Sequence, residues 1–374
     1  MKFKYYKYIY TIFICTLIMI PMAGFIFRLS QPLAIDENRV LKGFPYISIG
    51  ELASDEGGWF SEVSDFFNDR FYLRDAMIRT KNQINWKIFY TSGDNGVYSD
   101  SDNYLFYKSV MDRELILNER MSEEDLDVVV TDLINLKKYC DEKGIRFVFF
   151  IPPQKCEIKN EINSKIAVRR PDEPVYFRLC RKIESKKELA SSYIDAYSIL
   201  SKAEEEYSTY YKTDFHWNTY GATRVFSEAV NRLANKTCYS DDDYHIEIRN
   251  MTGLMNNNIA MLSKPISEKN VVVVKNEAIT SELLDGVEPN NAYHWHNTKE
   301  APLGSVLVVG ESFSNYLFHD SESGIMDCFT DYYWVHSDNS EGVLSNYADK
   351  IDCFIFEKIE VSISGMDRYI SMLY

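Results

Sequence analysis

The sequence is poor in positive charge. Its 374 residues carry 41 Lys and Arg against 56 Asp and Glu, a formal net charge of -15, and a general affinity for nucleic acid or anionic lipid needs clustered basic residues to displace counterions. That leaves a neutral or carbohydrate-like substrate as the better fit. Paired cysteine spacing is missing as well: seven cysteines are present, with no CxxC or metal-like interval among them, so neither a zinc ribbon nor a dithiol redox motif is encoded. One cysteine, Cys15, lies in an apolar N-terminal run; Cys140, Cys156, Cys180, Cys238, Cys328 and Cys353 lie beyond it. A chain this long does not depend on disulfide staples. Thiols set in apolar strands, such as Cys353 in DCFIFEKI, read as buried and free. Charge is absent altogether from residues 9–27, and a small-x-small cleavage site is missing around Pro21, Met22, Ala23 and Gly24. The run is long enough to span a bilayer. It reads as an uncleaved anchor and not as a removable signal peptide.

Lys2, Lys4 and Lys7 precede that run and orient it with the N-terminus cytoplasmic, so everything after Arg28 is expected outside, in a cell-membrane protein with a single span. With 45% hydrophobic and 14% aromatic residues, the remainder can bury a large core. The organisation expected is a tip and anchor over 1–30, a juxtamembrane linker over 31–50, a helical and hairpin part over 51–120, and an α/β core over 121–374. In the third part, aromatics at helical spacing are expected to pack inward, and DNGVYSDSDNYLFY has hairpin turn chemistry.

The core begins with Ser122 as an N-cap and Asp125 three positions on, opening a helix that ends near Gly144. IRFVFFI, closed by Pro152 and Pro153, has the continuous apolar character of a strand buried on both faces. A helix is expected over 173–188, a short strand in SYIDAYSIL and an amphipathic helix after TDFHWN. Short β runs at about 240–300 read as an insertion. Strands resume at GSVLVVGES and DCFIFEKI. The alternation predicts a mainly parallel sheet with helices on both faces, whose sites form at the carboxyl ends of its strands.

Ser312 follows VLVVGE, where a buried strand turns toward a helix. Gly310 permits a tight turn and close backbone approach, and the Ser312 backbone N–H is placed to meet a developing oxyanion. Alone, this is the pattern of an N-cap. Asp214 and His216 change the balance, because a serine nucleophile needs a base, and the base needs an acid to hold its tautomer. With one residue between them, their side chains point the same way when the backbone is extended. Trp217 offers a ring for stacking on a sugar face, or for the core. Other features count for less. His294 and His296 have a His-x-His spacing with no third metal ligand, and a surface hairpin is the plainer reading; 241–243 is a solvated acidic turn; His319 reads as a helix-surface histidine. No cofactor and no metal are called for.

Taken together, TDFHWNTYGA and the strand-Gly-Glu-Ser-Phe turn resemble the DHHW and AlgX/AlgJ group of SGNH-hydrolase-like proteins. ENRVLKGFP, FFNDRFYLRD, DNGVYSDSDNYLF and FFIPPQK extend the likeness from Glu37 onward. The resemblance implies an SGNH-like α/β fold in which Asp214 and His216 precede the nucleophile Ser312. It also implies acetyl transfer to secreted polysaccharide beside a multipass membrane O-acyltransferase that delivers the acyl group. Phe215 stands where the family name has His, Gly-Glu-Ser replaces Gly-Asp-Ser, and Glu360-Val361 replaces a Glu-Arg pair. An esterase with the same triad, and a non-catalytic glycan-binding scaffold, are the competing functions.

Overall fold

The protein is described from a computed structural model, covering residues 6–16, 19, 42–45, 58–70, 73–92, 96–100, 102–159, 173–252, 259–315, 317 and 322–374. The chain divides into two compact units, Met1–Val97 with Asn257–Pro265, and Tyr98–Asn256 with Ile266–Tyr374. Residues 98–120 therefore go with the α/β core and not with the segment before it.

In the first unit, residues 6–16 and 19 are helical; the rest of the 9–27 run lies outside the described residues, as does all of 31–50 except 42–45. Among the described residues no helix is long and apolar enough to cross a membrane. Helices α1 (Gly58–Arg70) and α2 (Arg74–Phe89) follow. The expected inward packing of aromatics holds for Trp86, which is buried, and fails for Phe60, Phe67 and Phe89, which are exposed. The face of α2 that is covered is mostly polar: Asn82 Nδ2 and Arg79 Nη1 donate to the carbonyls of Ala260 (3.1 Å) and Leu262 (3.1 Å).

Strands β1 (Val97–Ser99) and β2 (Leu105–Tyr107) form the expected hairpin. Its turn is held by Asp100, whose Oδ1 accepts from the N–H groups of Asp102 (3.0 Å) and Tyr104 (2.8 Å), with Asn103 in the left-handed region. Asp94, Asn95 and Ser101 of the motif lie outside the described residues. Helix α3 (Lys108–Arg120) leads to α4 (Glu123–Lys143). Here Ser122 and Asp125 form a reciprocal capping box and Gly144, at φ 74°, closes the helix. The stripe Leu126, Val129, Val130, Leu133, Leu136 and Cys140 is fully buried, each large side chain contributing about 1.5–3 kcal/mol.

Strand β3 (Arg146–Phe150), one-turn α5 (Lys155–Ile158), α6 (Val175–Glu184), α7 (Ala196–Ala203) and α8 (Thr219–Ala234) come next. The strand expected in SYIDAYSIL is reduced to a single bridge between Tyr193 and Phe149. Asp195 explains why: its side chain accepts from Ser198 N–H (3.0 Å) and caps α7 where a strand would have continued.

Among the described residues, strands β4 (Tyr244–Thr252) and β5 (Ser267–Lys275) pair only with each other, while β6 (Ser281–Leu283), β7 (Tyr293–Asn297), β8 (Val306–Gly310), β9 (Asp331–His336) and β10 (Cys353–Glu357) build the central sheet with β3. Its order is β3-β10-β8-β9-β7-β6, parallel from β3 through β9 and antiparallel for the last two. The β-rich stretch at 240–300 is thus only half an insertion. Its second half widens the core sheet, because Trp295 buries against Tyr332.

The parallel strands are apolar throughout because both faces are covered. Val148, Phe150, Val306, Val308 and Ile355 face a core shared with α7 and α8. Phe147, Phe149, Leu307, Val309, Phe354 and Phe356 face the other, with α4, α6, α10 (Val343–Tyr347) and α11 (Met366–Met372). Register places Phe150 beside Glu357, and Gly310 beside His336, so β3, β10, β8 and β9 end along one edge.

Candidate active site

At that edge β8 ends at Gly310, and Ser312 opens the single turn α9 (Ser312–Asn315). The backbone of Gly310 is not left-handed. What requires glycine is space, since a Cβ there would lie 2.6 Å from Glu357 Oε2 and 2.2 Å from Ser314 Oγ. The carboxylate of Glu357 fills this space and accepts from the N–H groups of Glu311 (2.7 Å) and Ser314 (3.3 Å).

His216 Nε2 lies 2.8 Å from Ser312 Oγ, and its Nδ1 lies 2.7 Å from Asp214 Oδ1. A neighbouring Asp–His pair and a serine 96 positions beyond the histidine thus form one hydrogen-bonded line, Asp214 and His216 buried and Ser312 half-buried. The backbone between Asp214 and His216 is bent and not extended. Asp214 turns its side chain back over its own chain and accepts the backbone N–H of His216 as well (3.1 Å), an Asx-type turn that orients carboxylate and imidazole together. Burial on its own would raise the Asp214 carboxyl; the bonds from His216 and the nearby charge of Lys155 outweigh it and hold the group below its ordinary value.

The bend pushes Phe215 outward. Its half-buried ring lies 3.9 Å, centroid to centroid, from the His216 ring and 6.1 Å from that of Tyr107. Trp217 goes the opposite way. It is fully buried, and its ring packs among Phe150, Phe226 and Phe313. A sugar-stacking role for Trp217 is therefore corrected: no face of the indole is open.

The substituted motif positions find partners. Glu311 reaches the exit of β10, where its Oε1 accepts from Lys358 Nζ (2.7 Å) and Ser362 Oγ (3.0 Å) and its Oε2 from Ile359 N–H (3.1 Å). Glu360 is buried and accepts from Gln154 N–H (2.7 Å), tying the exits of β10 and β3 together beside Val361. His294 and His296 both meet the Asp331 carboxylate, at 2.9 and 3.0 Å, on the β7–β9 pair. The residues 241–243 form an exposed 3-10 turn capped by Ser240. His319 lies outside the described residues.

Sequence reasoning missed Lys155, Glu268, Glu357 and Lys358, all buried charged side chains around the site. A signal existed for two of them: EK ends the apolar run CFIF, at the carboxyl end of a buried strand.

A family model described as SGNH hydrolase-like domain, acetyltransferase AlgX, matches residues 97–321. Among solved structures, PatB1 of Bacillus cereus aligns with a TM-score of 0.51 at 15% identity, over 66% of this chain and 93% of that one, and its sulfonyl adduct aligns equally. This is a likeness of fold. The O-acetyltransferase domain of Pseudomonas putida AlgJ aligns with a TM-score of 0.45 at 13% identity, over 72% of this chain and 92% of that one. No curated protein sequence matches the chain.

Proposed function

This chain belongs to the SGNH hydrolase-like domain family of the acetyltransferase AlgX, and from that premise we propose that it is a serine-dependent O-acetyltransferase acting on a cell-envelope or secreted polysaccharide. The observation that carries the reading is the line from Ser312 Oγ through the His216 ring to Asp214, with hydrogen bonds of 2.8 and 2.7 Å.

In this reading Ser312 Oγ attacks the acyl carbonyl while His216 Nε2 takes the hydroxyl proton, and Asp214 holds the Nδ1–H and steadies the imidazolium. The Ser312 backbone N–H faces the oxyanion. Collapse of the tetrahedral adduct breaks the donor's C–O bond, and His216 returns the proton to the departing alcohol. A sugar hydroxyl then gives its proton to His216, attacks the acyl-Ser312 carbonyl and leaves with the acetyl group, restoring the Ser312 hydroxyl. No cofactor enters. The Phe215 ring packs against the imidazole. The charge-free run at 9–27 after Lys2, Lys4 and Lys7 supports a single membrane anchor with the catalytic unit outside. A multipass membrane O-acyltransferase would supply the donor there.

The test uses the full chain in detergent with an activated acetyl ester, with and without oligosaccharide. Acetyl on the oligosaccharide and loss of turnover in Ser312→Ala are the expected results. Water as the sole acceptor under all conditions makes the protein an esterase. Turnover and fluorophosphonate labelling unchanged in Ser312→Ala overturn the enzyme reading in favour of a glycan-binding scaffold.

A further inference from the structure

The loop that carries Asp214 and His216 is held from within by two buried charges of opposite sign. Residues 209–218 double back on themselves: Tyr211 N–H donates to His216 O (3.2 Å) and Asn218 N–H to Thr209 O (2.9 Å), with Tyr210 and Trp217 bridged in antiparallel fashion. Beyond the Tyr211–His216 rung, backbone groups of the tip find their partners in side chains from outside the loop.

Its carbonyls converge on Lys155. The Nζ of this lysine, on α5 just past the β3 exit, donates to the carbonyl oxygens of Tyr211 (3.0 Å), Lys212 (3.3 Å) and Asp214 (2.5 Å). An ammonium has three N–H donors and here meets three acceptors; a neutral amine has two donors, and would turn a lone pair toward the third oxygen. The charged form is the one that fits. Phe106, 5.2 Å from Nζ to ring centroid, and Tyr104, at 5.9 Å, cover the ammonium.

The N–H groups of the same tip converge on Glu268, from β5. Its Oε2 accepts from the backbone of Lys212 and of Thr213 (2.9 Å), and its Oε1 from Thr213 Oγ1 (3.1 Å). Lys155 and Glu268 are both buried. Burial drives the Lys155 ammonium down to about 7, opposed by the charges of Asp214 and Glu268, and raises Glu268 against the pull of its Thr213 and Lys212 bonds. Leaving either charge uncompensated would be costly, so the two sides of the loop stabilise each other.

We propose that Lys155 and Glu268 are positioning residues that fix the Asp214–His216 turn, clamping its carbonyls with a cation and its N–H groups with an anion so that His216 Nε2 stays on Ser312 Oγ. The proposal deepens the acyl-transfer reading and rests on it for its kinetic arm. Misplacement by about an ångström of a group this close to the chemistry costs ~10²-fold in rate, whereas a part that only supports the fold changes melting temperature and leaves kcat alone below the melt.

The test compares full-length wild type with Lys155→Met and with Glu268→Gln, which exchanges one atom and keeps an acceptor oxygen. Expected are folded variants whose kcat on an activated acetyl ester falls about 10- to 100-fold with KM nearly constant. In Lys155→Met the acidic limb of kcat/KM moves to higher pH, because the positive charge behind Asp214 is gone. A second readout needs no turnover. The downfield proton resonance of the His216–Asp214 hydrogen bond, assigned by its absence in Asp214→Asn, is expected to shift or broaden in both variants. If Lys155→Met fails to fold, Glu268→Gln carries both readouts alone. Wild-type kcat and an unmoved downfield proton in folded variants overturn the clamp. A wild type with no Ser312-dependent turnover but with a downfield proton lost in the variants overturns the acyl-transfer reading and keeps the clamp.

Discussion

The indole Nε1 of Trp217 donates to the carbonyl oxygen of Phe313 at 2.8 Å, so the residue after the histidine is bonded to the residue after the serine. The register between the β8 turn and the 209–218 loop is set by this contact as well as by the His216–Ser312 bond it runs beside. Trp217→Phe keeps most of the apolar packing but orphans a buried carbonyl, a loss of about 1–3 kcal/mol. Thermal unfolding should register that loss, and kcat on an acetyl ester should drop about tenfold, the rate effect of some 1.4 kcal/mol at the transition state. An unchanged kcat with a lowered melting temperature would assign the bond to the fold alone.

Asp214 accepts both the ring N–H and the backbone N–H of His216. In Asp214→Asn the side chain can turn an NH2 toward the imidazole, which selects the wrong tautomer and places a proton on the nitrogen facing Ser312. Turnover near neutral pH is expected to fall by ~10³–10⁴-fold, with KM little altered. The melting temperature should move far less than the rate, and fluorophosphonate labelling of Ser312 should slow in parallel. A fast-labelling Asp214→Asn protein would mean the carboxylate does not govern the histidine.

The parts of this arrangement that could be read from the sequence are those set by local chemistry. The Ser122–Asp125 box, the Gly144 stop, the double-faced strands and the strand-Gly-Glu-Ser turn each announce themselves within a few residues. Asp214, His216 and Ser312 could be named because their residue types and sequence contexts suffice for the chemistry. Trp217 was ambiguous for a physical reason: an indole serves a sugar face and a core equally well, and only the position of α9 decides. Lys155 and Glu268 were illegible because their meaning is a set of backbone groups brought in from elsewhere in the chain. The bend at Asp214 does not follow from residue spacing, which brings the two side chains together in an extended backbone; an aspartate that accepts the N–H two residues on makes its own turn.

Burial pushes the thiols of Cys140, Cys180, Cys328 and Cys353 up to about 12, and only a thiolate attacks a maleimide at a useful rate. In native buffer near neutral pH these four should stay unlabelled, while half-buried Cys238 reacts. All seven should react once the chain is unfolded in denaturant. Intact-mass and peptide mapping check this directly. Rapid native labelling of Cys353, at the centre of the β3-β10-β8 stack, would contradict the packing of that strand.

Glu357 makes stability depend on pH in a direction opposite to the paired carboxylates of the molecule. Burial, reinforced by the neighbouring Glu311 charge, lifts its carboxyl from about 4.5 to about 7, so between those values the folded chain holds a proton that the unfolded chain has released. The stability this proton confers is full below about 4.5, is lost progressively as pH rises toward 7, and changes no further above it. Through that window the slope approaches 1.4 kcal/mol per pH unit, on the order of 3 kcal/mol in all. Glu357→Gln is neutral at every pH, and its amide oxygen can still accept the Glu311 and Ser314 N–H groups. Wild type minus Glu357→Gln, measured by denaturant unfolding at pH 4.5, 5.5, 6.5 and 7.5, isolates this group from every other titration. The difference should shift against wild type as pH rises and then level off. A difference independent of pH would mean that the carboxylate under Gly310 is charged across the whole range, with Lys358 as its compensating partner.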